Sequence, residues 1–323
     1  MPFTLLLLTA VILDLFLGDP EFLPHPIVMI GRLIEKLEDL LTGGKRGSFF
    51  QGDVLLLLVM LTISAVVLFI YFLLELIWPP LSAVFTIYLL WQGLAARTLA
   101  RSGLKVAELI ERDEIAEARK KISGLITRDV SQMGEQDICR AAVETISENI
   151  VDGITAPLFY AVLGGPLAGL SIMLYKAVNT MDSMIGYRNQ QYRDFGRAAA
   201  RFDDLLNWLP ARLTALIIVL ISPLTGGSLR QSWRILQRDA GKSSSPNSGY
   251  PEAAAAGALQ VRLGGPDYYF GQLVKNPQIG EKIRDNNPKT IRLAVRLLYL
   301  SQAVFIFFLY LAVFLLRLTG VIG

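Results

Sequence analysis

Residues 144–187 read ETISENIVDG (144–153), ITAPLFYAVLGGPLAGLSIMLY (154–175) and KAVNTMDSMIGY (176–187). The middle piece runs 22 residues without a charge, and a helix needs about 20 apolar residues to cross a hydrocarbon core of roughly 30 Å. Acidic and amide side chains crowd both of its ends at helical spacing. A carboxylate at such a depth is costly unless it has a partner. The pattern therefore predicts a chemical site built at a bilayer, not a plain anchor.

The rest of the composition agrees with a membrane setting. Of 323 residues, 53% are hydrophobic and 18% charged, and the mean hydropathy is positive. That is too apolar for an ordinary soluble domain of this length, so the chain reads as an all-α, polytopic membrane helical bundle. A net charge of +3 gives no reason to expect nucleic acid as a partner. Cys139 is the single cysteine, which excludes an intramolecular disulfide and suits a reducing, cytoplasm-facing location. His25 is the single histidine, which excludes a multi-histidine metal site within one chain. The first 13 residues are apolar but lack a basic leader, and Asp14 stands where a cleavage site would be, so an uncleaved helix is expected.

Uncharged, membrane-length stretches cover 54–74, 76–96, 154–175 and 297–316, and two weaker ones cover 2–17 and 205–224. Trp78-Pro79-Pro80 separates the second and third of these in chain order, because proline cannot continue a helical ladder. The whole of 1–323 is read as a single integral membrane domain. Basic residues number four in 18–53, nine in 97–153 and ten in 225–292, while the 75–80 turn has none. By the positive-inside tendency these three regions face the cytoplasm of a multi-pass cell-membrane protein. Arg188, Arg193, Arg197 and Arg201 then fall on the wrong side if 154–175 crosses once. Either Gly164-Gly165-Pro166 breaks the block into a re-entrant helical pair at 154–178, or two full crossings enclose a site within the bundle. Between the spans, Val106, Leu109, Ile110, Ile115, Ala118 and Ile122 predict helices in 97–153. The 225–292 segment predicts a basic amphipathic helix near Leu229 to Asp239, an alanine-rich helix from Pro251, and a Gly-Gly-Pro turn at 264–266.

Four polar islands could carry chemistry. Asp14 to Pro26 holds Asp19 and His25, either as ligands or as a rigid helix exit with Asp19 capping the next turn. Glu144, Glu148 and Asp152 are spaced i, i+4 and i+8, with Asn149 beside them, so three carboxylates share one helix face. On a solvated face that costs little; at a membrane surface it favours a cation, and oxygen-only ligands point to Mg²⁺. Lys176, Asn179, Asp182 and Ser183 follow, with Tyr187 and Arg188 a turn later, and Asp203-Asp204 is a less specific pair. The last island, Ser245 to Glu252, runs small hydrogen-bonding residues, among them Asn247 and Ser248, into a proline-led helix. Free amides at such a start suit phosphate or simply an ordinary cap. Gly241-Lys242-Ser243 imitates a P-loop ending, but position 236 is Leu236 where glycine is required.

Taken in order, DLFLGDPEFLPHP (14–26), ETISENIVDGITAPLFY (144–160), NTMDSMIGYRN (179–189), FDDLLNWLPARL (202–213) and SPNSGYPEAAAAGAL (245–259) resemble the adenosylcobinamide-phosphate synthase family of cobalamin biosynthesis, the CobD/CbiB family. Tyr250 stands where many relatives have tryptophan, and an aromatic is kept. The resemblance implies an integral membrane ligase that joins adenosylcobyric acid to aminopropanol phosphate, or aminopropanol, at the expense of ATP. An acyl phosphate, a general base and a charge-compensating Mg²⁺ are implied with it. On that view Glu144, Glu148, Asp152 and Asp182 are the metal or base residues. Asp19, His25, Asn149, Lys176, Asn179, Ser183, Tyr187, Arg188, Asn247, Ser248 and Glu252 bind substrate or nucleotide. The partners are then the corrinoid, the amine and the lipid bilayer, with room for contact with other enzymes of the pathway. The alternative is a non-enzymatic membrane sensor of the AmpE-like type, which has no need of stacked carboxylates.

Overall fold

The computed structural model describes residues 2–20, 22–187, 190–269 and 272–318. Thirteen α-helices and one small sheet are built from them, as the all-helical membrane bundle predicts. In chain order the helices are α1 (Phe3–Leu17), α2 (Pro26–Thr42), α3 (Phe49–Ile77), α4 (Pro79–Gln92), α5 (Ala96–Glu111), α6 (Ile115–Ser123) and α7 (Glu135–Ile150). After a π turn at Val151–Thr155 come α8 (Ala156–Gly164), α9 (Ala168–Ile185), α10 (Arg197–Ile221), α11 (Leu229–Asp239), α12 (Gly249–Leu259) and α13 (Pro288–Leu318). The strands β1 (Arg262–Tyr269) and β2 (Gln272–Gly280) form an antiparallel hairpin between α12 and α13. Among the described residues, five helical runs are long and apolar enough to cross a membrane: Phe49–Ile77, Pro79–Glu111, Glu135–Ile185, Arg197–Thr225 and Pro288–Leu315. α1 is apolar but has only 15 residues.

The chain divides into two compact units, Met1–Arg97 with Ala156–Asn207, and Thr98–Thr155 with Trp208–Gly323. In the first unit, α3 ends where Trp78 adopts an extended backbone and Pro79 opens α4 at its first position, the place in a helix that tolerates a missing N–H. α1 is tied down through polar groups. Buried Asp14 accepts the Ala96 N–H at 3.2 Å, and the Trp91 indole donates to the Gly18 carbonyl at 2.9 Å. His25, rather than Asp19, caps α2: its Nδ1 accepts the Ile27 N–H at 3.3 Å, while Nε2 faces Asp19 at 3.7 Å.

The uncharged block is a helical hairpin. Tyr160 and Tyr175 stack with ring centroids 5.2 Å apart, whereas 15 residues of straight helix would separate them by about 22 Å. The Ser171 hydroxyl also donates to the Tyr160 carbonyl at 2.7 Å. The reversal occurs over a 3₁₀ turn at Gly165–Leu167, where Gly165 has φ 50° and a side chain would strain the backbone. Each uncharged arm has about 11 residues and spans about 16 Å, half a hydrocarbon core. Gly164-Gly165-Pro166 thus reverses the chain into a hairpin, which α7, the π turn and α8 enter as one helical run and α9 leaves as 18 residues.

Pro210 does not break α10, against the interruption expected at 205–224. Proline offers no N–H to the carbonyl four residues back, which belongs to Leu206. The Tyr160 hydroxyl donates to that carbonyl at 2.8 Å. At the start of the same helix, Arg46 pairs with Asp194 at 2.6 Å, and Gly52 packs so tightly on the Phe195 carbonyl that any Cβ would collide. The described residues just before α10, Asp194 and Phe195, therefore lie at the same end of this unit as the start of α3.

In the second unit, α12 is a buried helix of small residues. Its Gly257 lies against the Cα of Ser232 on α11, where a Cβ would come within 2.6 Å, and the Ser232 hydroxyl donates to the Ala254 carbonyl at 2.9 Å. The helix begins at Gly249, two residues before Pro251. Gly264-Gly265-Pro266 is not a turn but a bulge within β1, with a register shift between Gly264 and Pro266 and φ of 69° and 107° at the two glycines.

Candidate functional site

The second unit gathers a buried ionic network around Glu144. This residue lies on the buried face of α7, and its Oε1 accepts the Gly264 N–H at 2.6 Å. The glycine bulge frees that N–H from the strand ladder and points it at the carboxylate. Oε2 of Glu144 pairs with Arg128 at 2.5 Å, and the same guanidinium nitrogen reaches Asp267 at 3.0 Å. Arg140, one helical turn before Glu144, binds the other oxygen of Asp267 at 2.8 Å and donates to the Gly264 carbonyl. The side chains of Glu144 and Asp267 are only 5% and 2% exposed. Two acids and two arginines thus neutralise one another out of water, the condition under which buried charge is tolerated. The network fastens the β1–β2 hairpin to α7.

Glu252, at the start of α12, faces this network. Burial pushes its carboxyl well above the usual carboxylate range, and the carboxylates of Glu148 and Glu144 push it the same way, against Arg128. Glu148 itself is exposed. A partly buried acid held toward its protonated form beside a solvent-facing one has the character of a proton-transfer group.

Arg140 also lines a cavity of about 190 Å³. Arg140, Arg262, Lys282 and Arg284 line it, along with Gly264 and Gly265, against two acids, Asp137 and Asp285. Arg140 is already paired with Asp267, and Lys282 with Asp285 at 2.8 Å, so the charge that favours an anion is that of Arg262 and Arg284.

The 245–252 loop is organised by its own hydroxyls. Ser245 Oγ accepts the N–H groups of Asn247 and Ser248, both at 3.2 Å, and Ser248 Oγ lies 2.9 Å from Ser243 Oγ. Arg212 is sandwiched between the rings of Trp208 and Tyr250, at 4.3 and 4.2 Å from their centroids, and donates to Asn247 Oδ1 at 3.4 Å. The aromatic at position 250 is therefore a stacking platform for a cation.

The first unit holds a separate relay. The Lys176 ammonium donates to Asn179 Oδ1 at 3.3 Å, and the Asn179 amide donates to Asp203 at 3.3 Å. Asn207 donates to the other oxygen of Asp203 at 2.9 Å and accepts from the Tyr175 hydroxyl at 2.9 Å. Asp182 faces Asp203 and Asp204, and Ser183 donates back to the Asn179 carbonyl at 2.9 Å.

The predicted residues are therefore divided. Glu144, Glu148, Asn149, Asp152, Asn247, Ser248 and Glu252 belong to the second unit, and Asp19, His25, Lys176, Asn179, Asp182, Ser183 and Tyr187 to the first. Arg188 lies outside the described residues. Asn149 spends its amide on the Thr145 carbonyl at 2.9 Å. The common face drawn through Glu144, Glu148 and Asp152 ends early, because α7 gives way to the π turn before Asp152, and the wider turn rotates that side chain off the i+8 line. Among the described residues no three acidic, histidine or cysteine side chains form a group able to hold a metal ion. With Glu144 committed to Arg128 and Gly264, the triple does not fit a protein-held Mg²⁺. The residues that sequence reading missed are Arg128, Asp267 and the Gly264 amide. They lie 16, 123 and 120 positions from Glu144 and share no period with it.

A family model described as CobD/Cbib protein matches residues 7–298. The chain is 45% identical over 300 residues to the cobalamin biosynthesis protein CobD of Geobacter metallireducens, covering 93% of both chains. It is 42% identical over 323 residues to that of Desulfotalea psychrophila, covering 95% of this chain and 98% of the relative. The Clostridium acetobutylicum protein of the same name is 43% identical over 308 residues, with 93% and 95% covered. No solved structure gives a significant match.

Proposed function

The chain belongs to the CobD/CbiB family of cobalamin biosynthesis enzymes, and we propose that it is the ATP-dependent ligase joining a carboxylate of adenosylcobyric acid to the amine of aminopropanol phosphate, or of aminopropanol. The observation that carries this reading is Glu252, an acid held toward protonation against the Glu144–Arg128 network, in the same unit as a cavity lined by Arg262 and Arg284. Amide formation of this kind needs both a base and a place for phosphate charge.

The carboxylate oxygen of the corrinoid attacks the γ-phosphorus of ATP, and ADP leaves. The amine nitrogen then attacks the acyl carbon, and inorganic phosphate leaves with the oxygen it had gained. An amine attacks only as its neutral form, so Glu252 takes the proton that nitrogen sheds, and its raised proton affinity makes it a better base than an ordinary carboxylate. Solvent-facing Glu148 passes the proton outward. Arg262 and Arg284 meet the phosphates at the cavity, while Arg128 and Arg140 hold Glu144 and the hairpin in place. The nucleotide arrives as its magnesium complex, and no protein cage for the ion is part of the proposal. We assign the protein to the cell membrane, with 18–53, 97–153 and 225–292 toward the cytoplasm and no nucleic acid among its partners.

Purified protein supplied with adenosylcobyric acid, Mg-ATP and aminopropanol phosphate should release ADP and form adenosylcobinamide phosphate, measured by mass spectrometry. A Glu252→Gln variant should lose about 10²- to 10⁴-fold in kcat. Absence of any amide product from folded protein would sink the reading and leave a sensor.

A further inference from the structure

Two exposed ridges of the first unit change character at the same height. On α3, Phe49, Asp53, Leu57 and Leu61 recur at i+4 steps, and on α10 so do Arg197, Arg201 and Leu205. Their first members line an open surface cavity of about 230 Å³, together with Ala198: Phe49, Asp53, Arg197 and Arg201. One turn further along, both ridges become leucine: Leu57, Leu61 and Leu205 are 57%, 56% and 67% exposed. α3 is the most apolar of the membrane-length runs and one of the least buried within the protein. Such a change, from charge to exposed leucine on two helices that start together, marks the boundary between headgroup and hydrocarbon.

Among the described residues the charges at that boundary have no ion-pair partner. Arg197 lies over the Phe49 ring at 5.1 Å, and among the described residues neither Arg197, Arg201 nor Asp53 comes within ion-pair distance of an opposite charge. Elsewhere at this end of the unit, Arg46 does find one in Asp194. Two guanidinium groups at i and i+4 suit a phosphate oxygen pair, and an aspartate at the rim suits an ammonium. The tight seat of Gly52 on the Phe195 carbonyl fixes the two ridges against each other.

We propose that this cavity binds an aminoalkyl phosphate, namely the headgroup of an ethanolamine phospholipid, with the phosphodiester on Arg197 and Arg201, the primary ammonium on Asp53, and the acyl chains running over Leu57, Leu61 and Leu205. A free aminoalkyl phosphate shares the headgroup chemistry, but the leucine ridges favour the lipid. The amine substrate of the proposed ligase belongs to that free class, whereas the lipid assignment rests only on the exposed charge-to-leucine change of α3 and α10.

The test is native mass spectrometry of the full chain released from nanodiscs of equal ethanolamine and glycerol phospholipid. Wild type should retain one ethanolamine lipid, Arg197→Ala/Arg201→Ala should retain at least about tenfold less, and Arg197→Lys should restore part of it. Asp53→Asn should keep a bound lipid but lose the preference for ethanolamine. All of these sites are exposed, and unchanged thermal unfolding confirms folding. Equal retention by the double alanine variant overturns the site, and equal retention of both lipids by wild type overturns the role of Asp53. Displacement of the retained lipid by millimolar aminoethyl phosphate would overturn the lipid as the ligand and assign the cavity to a free aminoalkyl phosphate.

Discussion

Replacing Asp267 by asparagine tests the ionic network most directly. The side chain is 2% exposed and holds Arg128 at 3.0 Å and Arg140 at 2.8 Å. The amide keeps the shape but removes the charge that two buried guanidinium groups require. A hydrogen bond to a charged group contributes about 1.5–3 kcal/mol, and removing one member of a buried ion pair costs about 3–5 kcal/mol because the remaining charge is left uncompensated. Glu144 still offsets part of that charge through Arg128 at 2.5 Å, so a loss near the lower end, about 3 kcal/mol, is expected. Denaturant unfolding in detergent micelles, followed by circular dichroism, measures it. Hydrogen exchange supplies a local readout. The Gly264 N–H, bonded to Glu144 at 2.6 Å, should lose protection together with the rest of β1. A second variant, Asp267→Leu with Arg140→Met, removes the charges in pairs and should recover part of the stability. A loss under about 1 kcal/mol in Asp267→Asn, with unchanged exchange across 262–280, would refute the claim that this network fastens the hairpin.

Four further expectations follow from the structure. Because the Glu252 carboxyl is raised by burial and by Glu148 and Glu144, the rate of amide formation should fall as pH drops through its raised value. Glu148→Gln should move that limb to lower pH, and a limb unmoved by both Glu148→Gln and Glu252→Gln excludes Glu252 as the base. The same shift means that the folded state holds the Glu252 proton more tightly, so this group's stabilisation declines as pH climbs from the ordinary carboxylate range to the raised value. Gly52→Ala should destabilise by about 1–3 kcal/mol through its collision with the Phe195 carbonyl, although alanine is otherwise the better helix residue; a gain in thermal stability would contradict the packing. In a Cys139→Ser background, cysteines at Ser48 and Tyr187 should react with an impermeant maleimide from the same face of the membrane, and labelling from opposite faces would refute the hairpin at 156–185.

Much of the fold was legible because it depends on local chemistry. Uncharged runs of membrane length, the proline pair after Trp78 and the amphipathic periods of 97–123 are all written within a few turns of chain, and the helices formed there. Gly164-Gly165-Pro166 likewise announced a break in the 154–175 block, but a break permits either a kink or a reversal. The Tyr160–Tyr175 stack decided between them. Pro210 misled for a related reason: its effect depends on whether the freed Leu206 carbonyl finds a donor, and that donor is Tyr160, 46 positions away.

The candidate site divides along the same line. The sequence alone picked out the acidic and amide islands, because carboxylates repeating at helical spacing beside apolar blocks are physically costly and so conspicuous. It also carried family resemblance in ordered motifs. Which groups meet the oxygens of Glu144 is decided by contacts that no local rule encodes. Helix spacing sets Glu144 beside Glu148 and Asp152 as a metal ligand, yet Arg128 and the Gly264 amide reach its two oxygens from distant positions, and Asp267 shares that arginine. A helix period fixes which residues share a face, and the partner that face meets is fixed only when the chain closes on itself. Helices and their ends are short-range matters of hydrogen bonding and hydropathy, whereas the neutralisation of a buried charge is a long-range one, and here only the tertiary structure supplied it.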